Sequence, residues 1–284
     1  MTTARLYFGR RARASLPQLL IYLLLIVAAL WAIIPVVWMI LSSFKTMNTI
    51  FRVPLQWIPK PFYWKSYPEA WAQRNFAHYF LNSAIIAVTI TVGNLFVCAM
   101  AGYGLAKYRF RGRNFLFLAV LSTLMLPLEV TMVPLFLVVK VLHWQNTFAG
   151  IIVPFLADPF GVFLMRQYIL DLPDDLIEAA RIDGMHEFGI FSKIVLPLVK
   201  PALTALAIFI FREAWNLYIW PLIIITSESL RPLTVGIALF MSNYGTDWNQ
   251  LLAIATIAML PMVVIFLMLQ RYFVRGIVLS GMKG

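Results

Sequence analysis

The chain has 284 residues, of which 62% are hydrophobic and 12% charged, with a mean hydropathy of +0.83 and a formal net charge of +11. Soluble domains average about 25% charged residues, so this composition excludes a soluble globular protein and leaves too little polar sequence for a separate soluble domain. The basic balance fits residues flanking membrane segments rather than a nucleic-acid partner, and the single cysteine, Cys98, excludes an internal disulfide.

Residues 1–15 carry Arg5, Arg10, Arg11 and Arg13 without an acid and read as a cytoplasmic tail. Leu16 to Leu41 runs uncharged for 26 residues, too long for a signal-peptide core and suited to a retained span. Pro35 is expected to kink that helix rather than end it. Residues 42–75 hold four prolines and five basic residues and read as a long, irregular extracytoplasmic segment. Its Trp57, Tyr63, Trp64, Tyr67 and Trp71 predict an interfacial aromatic belt. Residues 16–75 thus form a first helix with its outer segment, and 76–284 a transmembrane core.

Span two is expected over about 78–106, where Ala84, Ala87, Gly93, Ala99, Ala101, Gly102 and Gly104 permit close helix packing. Lys107, Arg109, Arg111 and Arg113 follow as a tight cytoplasmic turn. Span three is placed at about 114–139, span four at 147–169, span five at 202–226 and span six at 248–270. Six spans put both ends inside. That topology places fifteen Lys and Arg in the inner segments against seven in the outer ones, as the positive-inside bias requires.

One polar island interrupts the apolar runs. Residues 171–201 hold six of the twelve acids: Asp171, Asp174, Asp175, Glu178, Asp183 and Glu187. The period is helical, with Leu176, Ile177, Ala180, Gly184 and Phe188 near one face. Gly184 is expected to interrupt this helix, and a second short apolar helix, 190–196, to end at Pro197. An interfacial lipid-binding helix would carry basic residues on its polar face; this face is predominantly acidic and suits a protein partner.

The spacing Glu178-Ala179-Ala180, Gly184, Ile194-Val195-Leu196-Pro197 resembles the EAA loop of permease subunits in binding-protein-dependent ABC importers. Gly161–Gln167, Trp215-Asn216, Trp220-Pro221-Leu222 and the terminal Gly281–Gly284 resemble the carbohydrate-uptake branch, specifically the six-span partner of maltose-type importers. The resemblance implies an all-α integral membrane protein of six transmembrane helices, with a coupling helix between spans four and five. Glu178, Ala179, Ala180, Asp183, Gly184, Leu196 and Pro197 would then contact an ATPase. It also implies a second homologous permease, two ATP-binding cassette ATPase subunits and an extracytoplasmic solute-binding protein as partners, besides membrane lipid. ATP and Mg would reside in those ATPases, with no cofactor bound by this chain. Tyr244, Gly245 and Asp247 would face the binding protein.

The sequence has no GxxxxGK[ST] phosphate loop and no clustered catalytic set, so the chain is not expected to be an enzyme. Glu129, Asp158, Arg212, Asn216 and Tyr218 are polar groups inside expected spans and candidates for the translocation path. Counted by helix rise, Arg212 and Asp158 lie about 17 Å from one membrane face and Glu129 about 22 Å. These depths predict that Arg212 pairs across helices with Asp158 or Glu129 rather than with its neighbour Glu213. The expected solute is a sugar, an oligosaccharide or a related polyol. A glycerol-phosphate or glycerophosphodiester importer is the alternative, since Leu126–Val130 and Trp215–Tyr218 resemble that subgroup too. A self-contained secondary transporter would require broken helices in matching halves, and the apolar windows read as continuous.

Overall fold

The computed structural model describes residues 16–73, 75–239 and 246–281. Helix α1 (Leu16–Ser43) continues through Pro35; its 28 residues extend about 42 Å, enough to cross a bilayer core of about 30 Å. Its side chains are exposed on nearly every face, and it packs against the last helix, α15 (Trp248–Gly281). The following segment is more ordered than its prolines suggest. It contains α2 (Met47–Ile50) and α3 (Ser66–Gln73) and folds back on the end of α1. The Phe44 ring lies 4.7 Å from that of Phe62 and 5.1 Å from that of Tyr67, and the Tyr67 hydroxyl bonds Ser43 Oγ at 2.8 Å. Lys45 is buried, with its ammonium 3.7 Å from the centre of the Trp38 ring. Trp57, Trp64 and Trp71 of the expected belt are exposed.

Helix α4 (Phe76–Lys107) is the axis of the bundle. It packs against α8 (Pro159–Leu170) and α12 (Lys200–Trp215), and α12 in turn packs against α15. Small residues allow the closest of these approaches: a Cβ on Gly102 would sit 2.8 Å from the Arg166 backbone nitrogen, and one on Gly161 2.8 Å from Cys98 Sγ. Gly104, expected to share that role, faces open space. Backbone cannot yield as a flexible side chain does, so Gly102→Val is expected to cost about 1–3 kcal/mol or more by overpacking. The check is thermal unfolding of the purified chain in detergent, with Gly104→Val as a near-neutral control.

Three expected spans are broken. Span three divides into α5 (Arg113–Ser122), a 3₁₀ turn, and α6 (Leu128–Val141), which meet at 108°. Span four divides into α7 (Phe148–Ile152), a 3₁₀ turn, and α8, at 42°. The chain then enters α9 (Asp174–Ile182), α10 (Glu187–Ile190), a π-turn over Phe191–Val195, and α11 (Leu196–Leu198), which meets α12 at 81°. Pro197 lies within this second arm and does not end it. Span five is also interrupted, since α12 stops at Trp215 and α13 (Ile219–Ile224) begins three residues after Asn216. After it comes α14 (Leu233–Ala238). Continuous apolar composition hid these breaks. Prolines, which lack an N–H and constrain the residue before them, stand at three of the breaks: Pro127 before α6, Pro159 opening α8, and Pro197 and Pro201 on either side of the α11–α12 bend; residues 216–218, between α12 and α13, contain none.

Three helices are long and apolar enough to cross a membrane, or up to six if each bent pair counts as one span. Among the described residues the secondary structure is helical, with no strand.

Candidate functional site

The 172–201 loop is built as two arms joined at Gly184. Asp174 and Asp175 occupy the first turn of α9, where acids favour the helix dipole. At the other end, Gly184 N donates to Arg181 O and Met185 N to Ala180 O, both at 3.0 Å. This is the paired closure of a Schellman motif, and it needs a left-handed residue: Gly184 has φ +76°. A Cβ there would touch nothing within 4 Å, so the glycine is required by backbone conformation and not by crowding. His186 then caps α10, its Nδ1 accepting from Gly189 N at 3.1 Å.

The two faces of α9 differ from the sequence expectation. Ile177 and Ala180 are buried, whereas Leu176 and Phe188, placed with them on one face by periodicity, are exposed. The chain turns at Gly184, so the 3.6-residue count does not carry from Ala180 to Phe188; Leu176, within α9, falls outside the buried stripe of Ile177 and Ala180. Glu178, Ala179, Asp183, Gly184 and Pro197 are exposed and Leu196 half-buried. Ile182 is 86% exposed at the C-terminal end of α9. It is the most exposed large apolar side chain of the loop, and Glu178 one helical turn before it and Asp183 next to it in sequence give this knob an acidic rim. The second arm is anchored instead. Ile190, Phe191, Val195 and Val199 are buried, and the Phe191 ring lies 5.7 Å from Tyr103 and 6.2 Å from Phe96 of α4.

Charged groups fix the loop to α4. Lys107 Nζ donates to Leu172 O and to Asp174 Oδ1, both at 2.6 Å, and this contact holds the Asp174 carboxyl below its usual range. Arg181 Nε and Nη2 donate to Glu187 at 2.7 and 3.3 Å. Tyr103 donates to the same carboxylate at 3.1 Å, and Tyr108 also donates to it. Arg181 and the two hydroxyls push Glu187 down to about 2. Ile182, Glu187, Tyr103, Tyr108 and Lys107 are absent from the expected site residues.

A cavity of about 390 Å³ lies within the bundle, between α4, the start of α6, the α7–α8 break and α12. Its polar lining is Asn94, Asp158 and Glu213. Asn94 is 1% exposed and reaches the break, its Nδ2 donating to Phe155 O at 3.0 Å. Cys98, one turn along α4, donates its thiol to Asn94 Oδ1 at 3.2 Å and to Asp158 O at 3.4 Å. The Phe155 carbonyl at the break is therefore taken by α4, while Asp158 O also accepts Val162 N within α8; non-helical backbone at membrane depth requires such partners.

The ion pair expected of Arg212 is overturned. Arg212 Nη2 binds Glu213, its neighbour in sequence. Asp158 caps α8, its Oδ2 accepting from Gly161 N at 2.6 Å. Glu129 sits exposed in the first turn of α6, beyond the 108° bend. A depth count holds only for straight rods, and spans three and four are bent; adjacent helical side chains leave the axis about 100° apart. Long Arg and Glu side chains close that angle. Asn216 Nδ2 turns back to Arg212 O at 2.8 Å and caps α12; Tyr218 is exposed at the break before α13. Of the expected path residues, Asp158 alone lines the cavity, joined there by Asn94 and Glu213. Tyr244 and Gly245 lie outside the described residues. Asp247 is exposed, and its carbonyl accepts Leu251 N at the start of α15.

Comparison with known proteins places this architecture. The chain is 38% identical over 276 residues to the arabinooligosaccharides transport system permease protein AraQ of Bacillus subtilis, covering 94% of this chain and 98% of that protein. It is 35% identical to the sn-glycerol-3-phosphate transport system permease protein UgpE of Yersinia pestis, covering 90% and 94%. The fold matches a chain in the crystal structure of a bacterial ABC transporter involved in the import of the acidic polysaccharide alginate, with a TM-score of 0.82, 24% identity and coverage of 94% and 99%. Residues 98–279 match the family described as binding-protein-dependent transport system inner membrane component. The chain thus belongs to that family, as a multi-pass membrane permease component of an ABC importer that is not itself an enzyme and works with ATPase and binding-protein subunits.

Proposed function

We propose that the chain is one of two homologous permease subunits in an importer powered by a pair of ATPases, and that it carries a neutral sugar, oligosaccharide or polyol inward. Six spans set both termini and the 172–201 loop on the cytoplasmic side, where α9 meets an ATPase; ATP and Mg are held by that partner. The exposed Ile182 and its acidic neighbours support this docking role, because they lie on the free outer side of α9 while Ile177 and Ala180 face the bundle. ATPase closure presses on α9 and switches the paired bundles between inward-facing and outward-facing states.

The charge of the cavity carries the choice of solute. Its ionisable groups are Asp158 and Glu213, and the nearby Arg212 is matched by Glu213. Carboxylates accept hydrogen bonds from hydroxyls, whereas they repel a phosphate. The named cargo of the arabinooligosaccharide relative fits this lining better than that of the glycerol-phosphate relative. Reconstituted with its cognate subunits and binding protein, the complex is expected to accumulate arabinooligosaccharides and to exclude sn-glycerol 3-phosphate. Uptake of the phosphate without the sugar would overturn this reading.

A further inference from the structure

Helix α9 is joined by the chain to α8 on one side and, through the second arm, to α12 on the other, yet its N-terminal end is bonded to α4 directly and its C-terminal end through Glu187 of α10. At the N-terminal end, Lys107 holds both Leu172 O and Asp174 at 2.6 Å. At the C-terminal end, Arg181 grips Glu187, whose carboxylate also accepts from Tyr103 and Tyr108. Tyr103 and Lys107 are four residues apart and so lie on one face of α4. Asp174 and Arg181 are seven residues apart, about 10 Å along α9. A single contact would let α9 swivel about it; two contacts separated by that length fix the direction of its axis against α4.

The same helix reaches the cavity. Asn94 is thirteen residues from Lys107, about 20 Å up α4, and it holds the carbonyl of Phe155 in the α7–α8 break at 3.0 Å. We propose that Lys107 on Asp174, and Tyr103 and Tyr108 acting through Glu187 on Arg181, form a two-point strap that makes α9 and α4 move as one body. A push on α9 then arrives at the cavity through α4 and Asn94, instead of through the covalent links to α8 and α12. This rests on α9 being the ATPase-docking helix. The strap side chains are positioning residues. An exposed Arg–Glu pair contributes little stability by itself, so the purpose of the network is geometric.

The test uses the complete transporter in liposomes, with Tyr103→Phe and Tyr108→Phe combined. The change removes two hydroxyls and leaves the rings in place. ATPase subunits are expected to stay bound at the wild-type ratio and to hydrolyse ATP, while solute moved per ATP falls about tenfold. A merely structural role would lower the yield of complex and both activities together, leaving that ratio unchanged. An unchanged ratio overturns the strap, as does loss of the ATPase with a normal ratio in the complexes that remain. Tyr108→Phe alone, at an exposed position, gives a smaller fall in the same ratio and serves if the double variant fails to fold. Ile182→Asp, measured beside them, separates the two ideas: if it leaves the ATPase bound, the docking reading fails; if it strips the ATPase while the phenylalanine pair changes nothing, the strap alone fails.

Discussion

Ile182→Asp is expected to release the ATPase from the solubilised complex, weakening association by about thirtyfold or more. The magnitude follows from the position. An aliphatic anchor exposed in the free subunit and buried on docking contributes about 2 kcal/mol or more at an interface centre, which is about thirtyfold in affinity. An aspartate there also adds charge to a rim that already carries Glu178 and Asp183. Glu178→Lys should weaken the same contact by reversing the rim. Gly184→Leu should act differently, straining the left-handed turn by about 1–2 kcal/mol and tilting the tip of α9. Asparagine, which tolerates that conformation, should be milder. Subunit ratios after affinity purification decide the matter. Wild-type ratios for Ile182→Asp and Glu178→Lys together would remove α9 from the interface.

Asn94→Leu should be the most damaging single change inside the membrane. The side chain donates to Phe155 O and accepts the Cys98 thiol, so leucine removes the α4 partner of that carbonyl at a position that is 1% exposed. An orphaned buried polar group costs about 1–3 kcal/mol, and the branched side chain also enters the cavity. Lower thermal stability together with loss of transport is expected. Asn94→Asp, of similar shape but without the amide donor, should lose stability as well. If Asn94→Leu unfolds at the wild-type temperature, the α7–α8 break is held by something other than α4.

The sequence and the structure agree where information is local. The helical composition, the uninterrupted first span and the turn at Gly184 each follow from neighbouring residues, and the run of small residues in α4 marks Gly102 as a packing position without naming its partner. Disagreement begins where partners are distant. Lys107 with Asp174, and Tyr103 with Glu187, are separated by 67 and 84 positions, and no periodicity links them. The breaks were hidden for another reason. Apolar residues continue across Leu126-Pro127 and Ala157-Asp158-Pro159, so hydropathy sees one span where the backbone turns. Asp158 followed by Pro159 carried the signal, an N-cap followed by proline at the first helical position. Depth alone makes Asp158 a charge in mid-span, whereas its place before Pro159 makes it a helix start. Arg212 has no partner in Asp158 for the same reason, because that carboxylate is engaged by Gly161 N.

The packing of α1 against α15 has a consequence for synthesis. The two helices come from opposite ends of the chain, roughly 200 residues apart. At about 5–20 residues per second, α1 leaves the ribosome about 10–40 s before α15 exists. For that interval it must rest in lipid without the helix that later covers one side of it. A stripe of polar groups reserved for α15 would be stranded in hydrocarbon meanwhile. Its charge-free sequence and its exposure on nearly every face suit a helix that is stable alone first and assembled last.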